Sequence, residues 1–154
     1  VICAKAGANV TLVGRSLEKA EKIAGICNDR YNSKNVKGGA DADKSDFINA
    51  ADIVLNTGAA GIQLMSDEHI KNSNTLKICA DTNAVPPSGI AGVDVMDNGK
   101  VIDMSPSKCL GIGALAIGNI KYKSQHECLK LMYTSEKPVY LDFEDAFKFA
   151  QKSV

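Results

Sequence analysis

The sequence predicts an α/β protein built on a Rossmann-like, doubly wound parallel sheet. Short apolar runs with the length of buried strands alternate with longer segments whose apolar residues recur at the helical period. The apolar runs end in small and polar residues, which is typical of central strands that lead into a ligand crevice. Strands and helices that alternate in this way form a parallel sheet with crossover helices.

The composition is that of an ordinary globular domain. The 154 residues are 45% hydrophobic and 23% charged, and 18 basic side chains balance 18 acidic ones. With no net charge, the chain has no field that attracts nucleic acid or an anionic membrane. The five cysteines lack metal-ligand spacing and are expected to be small core residues of a protein in a reducing compartment. No apolar run is long enough to cross a bilayer, so we expect a soluble, cytoplasmic protein without nucleic-acid, membrane or metal partners.

The chain opens with a helix end, a strand and a long helix. The residues before Gly7 are typical of a last helical turn, which this glycine ends in a left-handed conformation. Residues 10–13 form a buried strand, and residues 17–31 follow as a helix. A helical turn at a terminus is poorly stabilised alone, so we expect further chain before Val1.

The remaining elements continue the alternation. They are predicted in the order strand 35–38, helix 43–50, strand 52–56, helix 60–72 and strand 76–81. A segment rich in turns follows, and apolar residues from Leu115 to Met132 then suit a long helix. A last helix is predicted at 142–152, with Asp142 as its N-cap.

The residues after the first strand indicate a site for a phosphorylated ribose. In doubly wound dinucleotide folds an acid at this point binds the ribose 2′-OH, whereas an arginine complements the 2′-phosphate of NADP. Arg15 therefore favours NADP, with Lys19 as a second positive charge and Ser16 as a hydroxyl donor or helix N-cap, next to Gly14 in the turn. The alternative is that both cations are solvated residues at the edge of an ordinary helix, and this stretch alone favours neither interpretation.

Two further loops are predicted at the same edge of the sheet. "NTGAAGIQL" follows strand 52–56, and its small residues let a cofactor approach the backbone closely. "DTNAVPPSGIAG" follows strand 76–81 and adds Asp81, Asn83 and a rigid Pro-Pro pair. The predicted cofactor contacts in these loops are Thr57, Gly58, Ala59, Ala60, Asn83, Ala84 and Pro86. Ordinary turns without a binding role are the alternative.

Other motifs are not expected to form a site. Gly111 and Gly113 resemble the start of GxGxxG, but they lie far from the first strand of the fold, so we interpret them as a helix entry. His69 and His126 have no paired carboxylates or ligand spacing and are expected on helix surfaces.

Several stretches resemble the bacterial NAD(P)-dependent methylene-tetrahydromethanopterin dehydrogenases, and together they cover nearly the whole chain. The most specific are "DTNAVPPSGIAGVDVMDNGK", "GALAIGNIKYKSQH" and "KPVYLDFEDAFKFA", supported by "LVGRSLEKA" and "TGAAGIQL". The resemblance implies hydride transfer to NADP, or alternatively NAD, from the methylene carbon of methylene-tetrahydromethanopterin or methylene-tetrahydrofolate. A reduced pterin would be the substrate, and the whole protein would be a homo-oligomer.

The resemblance also implies how the chain is organised. The family has a catalytic domain, a first strand and a Gly-rich loop upstream of the segment that here begins at Val1. We therefore expect an N-terminally truncated NADP-binding domain at 1–123, lacking its first strand, and a helical segment at 124–154 that packs toward the absent catalytic domain. Such a fragment would be inactive alone. Apolar side chains left exposed in the second segment should include Leu129, Met132, Val139 and Phe143.

The implied reaction needs positioning more than acid or base catalysis, and no residue of this chain is assigned as catalytic. Two alternatives stay open. One is the NADP-binding domain of an enzyme of the shikimate dehydrogenase type, in which an arginine also follows the strand. The other is a non-catalytic remnant or interaction module that kept the fold.

Overall fold

A computed structural model describes residues 1–153 of the chain, which form six α-helices and six β-strands. In chain order these are α1 (Ile2–Lys5), β1 (Val10–Gly14), α2 (Leu17–Tyr31), β2 (Val36–Ala40), α3 (Lys44–Asn49), β3 (Ile53–Asn56), α4 (Asp67–Asn72), β4 (Ile78–Asp81), β5 (Asn98–Val101), β6 (Leu110–Ile112), α5 (Ala114–Thr134) and α6 (Phe143–Gln151). A short 3₁₀ helix, Asp41–Asp43, precedes α3. The chain divides into two compact units, an N-terminal unit (Val1–Ala51) and a C-terminal unit from Asp52 onward.

The N-terminal unit is a parallel strand pair with a helix packed on it. β1 pairs with β2 in register from Val10 opposite Val36 to Gly14 opposite Ala40. A small apolar core lies beneath α2, formed by Ala4, Ala24 and Val36 with Val10, Leu12 and Cys27 around them. The side chain of Asn28 in α2 donates to the Val36 carbonyl over 2.8 Å and so ties helix to strand.

The start of the chain folds as the sequence predicts. α1 is a single turn, and Gly7 follows it with a φ of +93°, a conformation that favours glycine. The amide of Asn35 donates to the carbonyls of Ala4 and Ala8 over 3.1 and 2.7 Å. These two bonds hold the turn against the loop that precedes β2.

The C-terminal unit contains a four-stranded sheet in the order β3-β4-β6-β5. β3, β4 and β6 are parallel, and β5 runs antiparallel to β6. The core of this unit is apolar and centres on the loops and helices around β4. Its buried members include Met65, Ile70, Leu76, Cys79, Ala80, Ile90, Ala91, Val93, Ile102 and Cys109.

Two of the five cysteines form a buried pair. The Sγ atoms of Cys79 and Cys109 are 3.4 Å apart, and both side chains are fully buried. Burial raises the pKa of both thiols, and for Cys79 the hydrogen bond with Cys109 raises it further. The prediction of core cysteines is thus confirmed for this pair and wrong for Cys3, which is exposed.

The predicted α/β class is confirmed by parallel strands that alternate with helices. α2 has the predicted bounds, 17–31, and Asp142 caps α6 by accepting the Glu144 N–H over 2.8 Å. The prediction that all strands are parallel is wrong for β5. Both β5 and β6 lie outside the predicted elements, the former within the segment described only as rich in turns.

The helix predicted at 60–72 is also wrong over its first half, because only Asp67–Asn72 is helical. The residues before this helix form backbone hydrogen bonds with a loop that is distant in sequence. The N–H groups of Leu64 and Met65 donate to the Gly89 carbonyl, and the Ala91 N–H donates to the Met65 carbonyl. These backbone bonds replace the local bonds that a helix would need.

The last two helices pack against each other and leave apolar side chains exposed. Leu129, Met132, Val139 and Phe143 are 64%, 52%, 37% and 38% exposed. The predicted boundary between the NADP-binding domain and the C-terminal helical segment, after residue 123, falls inside α5. The division of the chain into these two segments stays a prediction. Within residues 1–153, no helix combines the length and apolarity that crossing a bilayer requires.

Candidate functional site

A cavity of about 580 Å³ lies at the carboxyl end of β1 in the N-terminal unit. All four site residues predicted in this region line it. The full lining consists of Leu12, Val13, Gly14, Arg15, Ser16, Lys19, Ala20 and Ile23. It contains two cationic side chains and no acidic one, so the cavity is suited to an anion.

The turn between β1 and α2 places the cations. Ser16 is extended, with a φ of −123°, and its hydroxyl accepts the Lys19 N–H over 3.4 Å as the N-cap of α2. Arg15 consequently sits between the end of a strand and the positive end of a 15-residue helix. Both cationic side chains are exposed, and neither forms an ion pair with any residue from 1 to 153.

The apolar part of this cavity was not predicted from the sequence. Val13 and Ile23 are 45% and 50% exposed at its wall, next to Leu12 and Ala20. Ala20 and Ile23 could have been predicted, because residues 16, 19, 20 and 23 share one face of a helix. Exposed aliphatic groups beside two cations are an environment for a flat, partly apolar ligand that carries a negative charge.

The other predicted site residues belong to the C-terminal unit, in the loops after β3 and β4. Within the C-terminal unit these two loops lie side by side, because the Gly61 N–H donates to Asn83 Oδ1 over 3.2 Å. That they share an edge with the turn at Arg15 stays a prediction. The side chains or backbones at Thr57, Gly58, Ala59, Ala60, Ala84 and Pro86 are exposed. Their role as cofactor contacts stays a prediction.

Asn83 holds this pair of loops together. It is buried, and its Oδ1 also accepts the Val85 N–H over 2.9 Å, while its Nδ2 donates to the Pro87 carbonyl over 2.8 Å. The side-chain amide is therefore bonded to backbone groups on both sides. A contact between this residue and a cofactor also stays a prediction.

Behind the loops lies a buried carboxylate. Asp81 is 2% exposed, and it accepts hydrogen bonds from the Asn56 side chain and from the backbone N–H groups of Asn83 and Ile90. Asp81 was predicted at the end of a strand, but it was not among the predicted cofactor contacts. An acidic residue that ends an apolar run is the signal that marks it.

The helix entry predicted at Gly111 and Gly113 is confirmed for Gly113 and wrong for Gly111. Gly113 is the N-cap of α5, and Gly111 lies in β6. A Cβ at Gly113 would overlap the Asp94 carbonyl, and one at Gly111 would touch Asp97 Oδ2 at 3.4 Å. The space beside both glycines is thus filled by the chain's own 93–97 segment, so it is not open to a pyrophosphate.

Both histidines lie on helices, as predicted. His69 Nδ1 accepts the Ser66 N–H over 3.0 Å in the capping box of α4. His126 is an exposed residue of α5, and its Nδ1 lies 3.6 Å from Glu127 Oε1, so the prediction of no paired carboxylate is wrong for this residue. Across the described part of the chain, no three His, Cys, Asp or Glu side chains are grouped to hold a metal ion.

Comparison with known proteins gives two relatives and no match to a protein-family model. The chain is 38% identical over 153 residues to the NAD(P)-dependent methylenetetrahydromethanopterin dehydrogenase of Methylorubrum extorquens, an alignment covering 97% of this chain and 51% of that protein. It is 34% identical over 148 residues to the bifunctional protein MdtA of the same organism, covering 95% and 50%. The chain spans about half the length of these curated relatives. Along nearly its whole length the chain is therefore similar to about half of an NAD(P)-dependent methylenetetrahydromethanopterin dehydrogenase.

Proposed function

We propose that this chain binds the dinucleotide cofactor of a dehydrogenase and that the preferred cofactor is NADP. The observation that carries the proposal is the cavity at the end of β1, whose lining holds Arg15 and Lys19 and no acid. A guanidinium and an ammonium group recognise a phosphate by charge and by several N–H donors. An acidic side chain in their place would instead favour the free ribose hydroxyl of NAD.

In the N-terminal unit we place the 2′-phosphate at Arg15, Lys19 and the start of α2, and the adenine at the aliphatic wall near Ile23. Taken separately, the exposed residues 57–60 and 84–86 of the C-terminal unit are proposed to let a dinucleotide approach the backbone closely. Small side chains in these loops allow that approach.

The reaction we propose for the whole protein is hydride transfer from the methylene carbon of a reduced pterin carrier to NADP or NAD. The names of the relatives support this class, and they do not favour the alternative of the shikimate dehydrogenase type. The bound nicotinamide would accept the hydride, so the protein mainly has to orient donor and acceptor and exclude water. Because the relatives are about twice as long as this chain, we place the pterin site on sequence outside it, in a cytoplasmic homo-oligomer.

We also propose that the open edge of β3 takes a further parallel strand. Within the described chain β3 pairs on one side only, with β4. Ile53 and Leu55 of this strand are 52% and 57% exposed, which is unusual for aliphatic residues in a parallel sheet. A strand with a Gly-rich loop at its end would pair with this open edge and supply pyrophosphate contacts.

Calorimetric titration of the purified chain with NADP and with NAD tests the cofactor proposal. We expect NADP to bind at least about tenfold more tightly, because only its 2′-phosphate reaches the two cations, and a charge-assisted contact has this magnitude. Equal affinity for the two cofactors would contradict the proposal. Binding of neither would favour a module without a nucleotide role.

A further inference from the structure

We infer that Asp81 is a positioning residue, whose buried carboxylate sets the conformation of the two loops that follow β3 and β4. The loops are defined as loop A (57–61) and loop B (83–90). That the carboxylate shapes the loops follows from its hydrogen bonds alone. The further step, that this shape governs affinity for a dinucleotide, rests on the proposed function.

The carboxylate is held by three N–H donors from separate parts of the chain. Oδ1 accepts from Asn56 Nδ2 over 2.8 Å and from the Asn83 N–H over 3.0 Å, and Oδ2 accepts from the Ile90 N–H over 3.0 Å. No lysine or arginine among residues 1–153 forms an ion pair with it. The buried group therefore depends on these donors, and each of them is held in place by it in return.

The first branch of this network leads to loop A. Because the Asn56 Nδ2 group donates to Asp81, the Oδ1 atom of the same amide faces the other way and accepts the Gly58 N–H over 3.0 Å. An asparagine whose orientation is fixed at one end presents a fixed acceptor at the other. The start of loop A is thus positioned by Asp81 through Asn56.

The second branch leads to loop B and returns to loop A. The Asn83 backbone N–H is bonded to Asp81, and its side-chain Oδ1 accepts the N–H groups of Val85 and Gly61 over 2.9 and 3.2 Å. The bond from Ile90 to the other carboxylate oxygen fixes the far end of loop B. One carboxylate therefore controls both ends of loop B and, through two asparagines, both ends of loop A.

Asp81 itself is 2% exposed, so it acts on any ligand through the loops. The alternative is a purely structural role, in which the network stabilises the unit as a whole. The two roles differ in which backbone N–H groups become unprotected when the network is cut. If Asp81 positions the loops, cutting one branch should unprotect only the backbone N–H groups bonded through that branch. If it only stabilises the unit, the N–H groups of the whole unit should lose protection to a similar degree.

Amide hydrogen exchange measured by NMR separates the two roles with three variants. Asn56→Ala should accelerate exchange at Gly58 only, and Asn83→Ala should accelerate it at Gly61 and Val85 only. Asp81→Ala should accelerate all three by about tenfold or more, because it removes the oxygen that accepts from both Asn56 and Asn83. Asp103→Ala, at an exposed aspartate of the same unit, is the control with the same chemical change.

The amides of α5, in the same unit, report general loss of stability. Uniform acceleration that includes α5, or no acceleration at the three loop amides in Asp81→Ala, would overturn the inference. Should Asp81→Ala fail to fold, the two asparagine variants decide, since acceleration of the same set of amides in both would contradict the separate branches.

A binding measurement tests the ligand step. Asp81→Ala should weaken NADP binding by about tenfold, because loops A and B lose the conformation proposed for contact with the dinucleotide, and Asp103→Ala should leave this affinity unchanged. Unchanged NADP affinity in a folded Asp81→Ala chain would overturn this step. If the wild-type chain does not bind NADP, the proposed function has failed, and the exchange pattern still decides the role of Asp81 in the loops.

Discussion

Replacing Gly89 with alanine is expected to lower the free energy of unfolding of the C-terminal unit by about 3 kcal/mol. A Cβ at this buried position would overlap the Asn56 Nδ2 atom and lie 2.8 Å from Asp81 Oδ1. The methyl group must therefore displace Asn56 from the carboxylate, which leaves buried polar groups without partners. The Gly89 carbonyl also accepts from Leu64 and Met65, so the loop cannot easily move away.

Gly118→Ala is the matched control for this prediction. Gly118 lies inside α5, and a Cβ there would meet open space. The same chemical change should stabilise the unit by about 0.5–1 kcal/mol, because glycine is a poor helix former. Urea denaturation followed by circular dichroism measures both effects. A Gly89→Ala chain as stable as the wild type would contradict the tight contact between this glycine and the buried network.

Arg15→Ala is expected to weaken NADP binding roughly 10- to 100-fold and to leave NAD binding almost unchanged. The guanidinium is exposed at the cavity and has no ion-pair partner within residues 1–153, so a ligand phosphate need not displace an existing bond. NAD lacks the 2′-phosphate and therefore loses little. Calorimetric titration with each cofactor measures the two affinities.

Arg30→Ala provides the control with the same change in net charge. This residue lies in the last turn of α2 and outside the cavity lining, so its loss should alter neither affinity. Equal losses of NADP and NAD affinity in Arg15→Ala would refute the assignment of Arg15 to the 2′-phosphate. A similar loss in Arg30→Ala would show that the effect is one of overall charge.

Elements with local signals could be predicted from the sequence. α2 has a serine cap at its start and Asn32 in a left-handed conformation at its end, and both are properties of adjacent residues. β5 has no such signal, since all four of its residues are exposed and carry no hydrophobic alternation. The loop at 62–66 depends on backbone bonds to a segment about 25 residues away in sequence, which local periodicity does not reveal.

The candidate site residues likewise include some that local sequence predicts and others that depend on contacts distant in sequence. Arg15, Ser16 and Lys19 are close in sequence, at a strand-to-helix turn, so their shared cavity follows from local order. The role of Asp81 depends on Asn56, which is 25 residues earlier, and on Ile90. These hydrogen bonds form only when the parallel strands align. The sequence therefore shows which polar residues end the strands, but it does not show which of them bond to one another.

NMR titration of the wild-type chain with adenosine 2′,5′-bisphosphate, and separately with AMP, tests directly whether Arg15 and Lys19 form a 2′-phosphate site. The two ligands differ at the 2′-phosphate and share the adenine, the ribose and the 5′-phosphate. We expect the bisphosphate to shift the backbone amide signals of residues 14–20, at the cavity and the start of α2, and AMP at the same concentration to shift them far less. Equal shifts with both ligands, or shifts confined to residues outside the cavity lining, would contradict a 2′-phosphate site at Arg15.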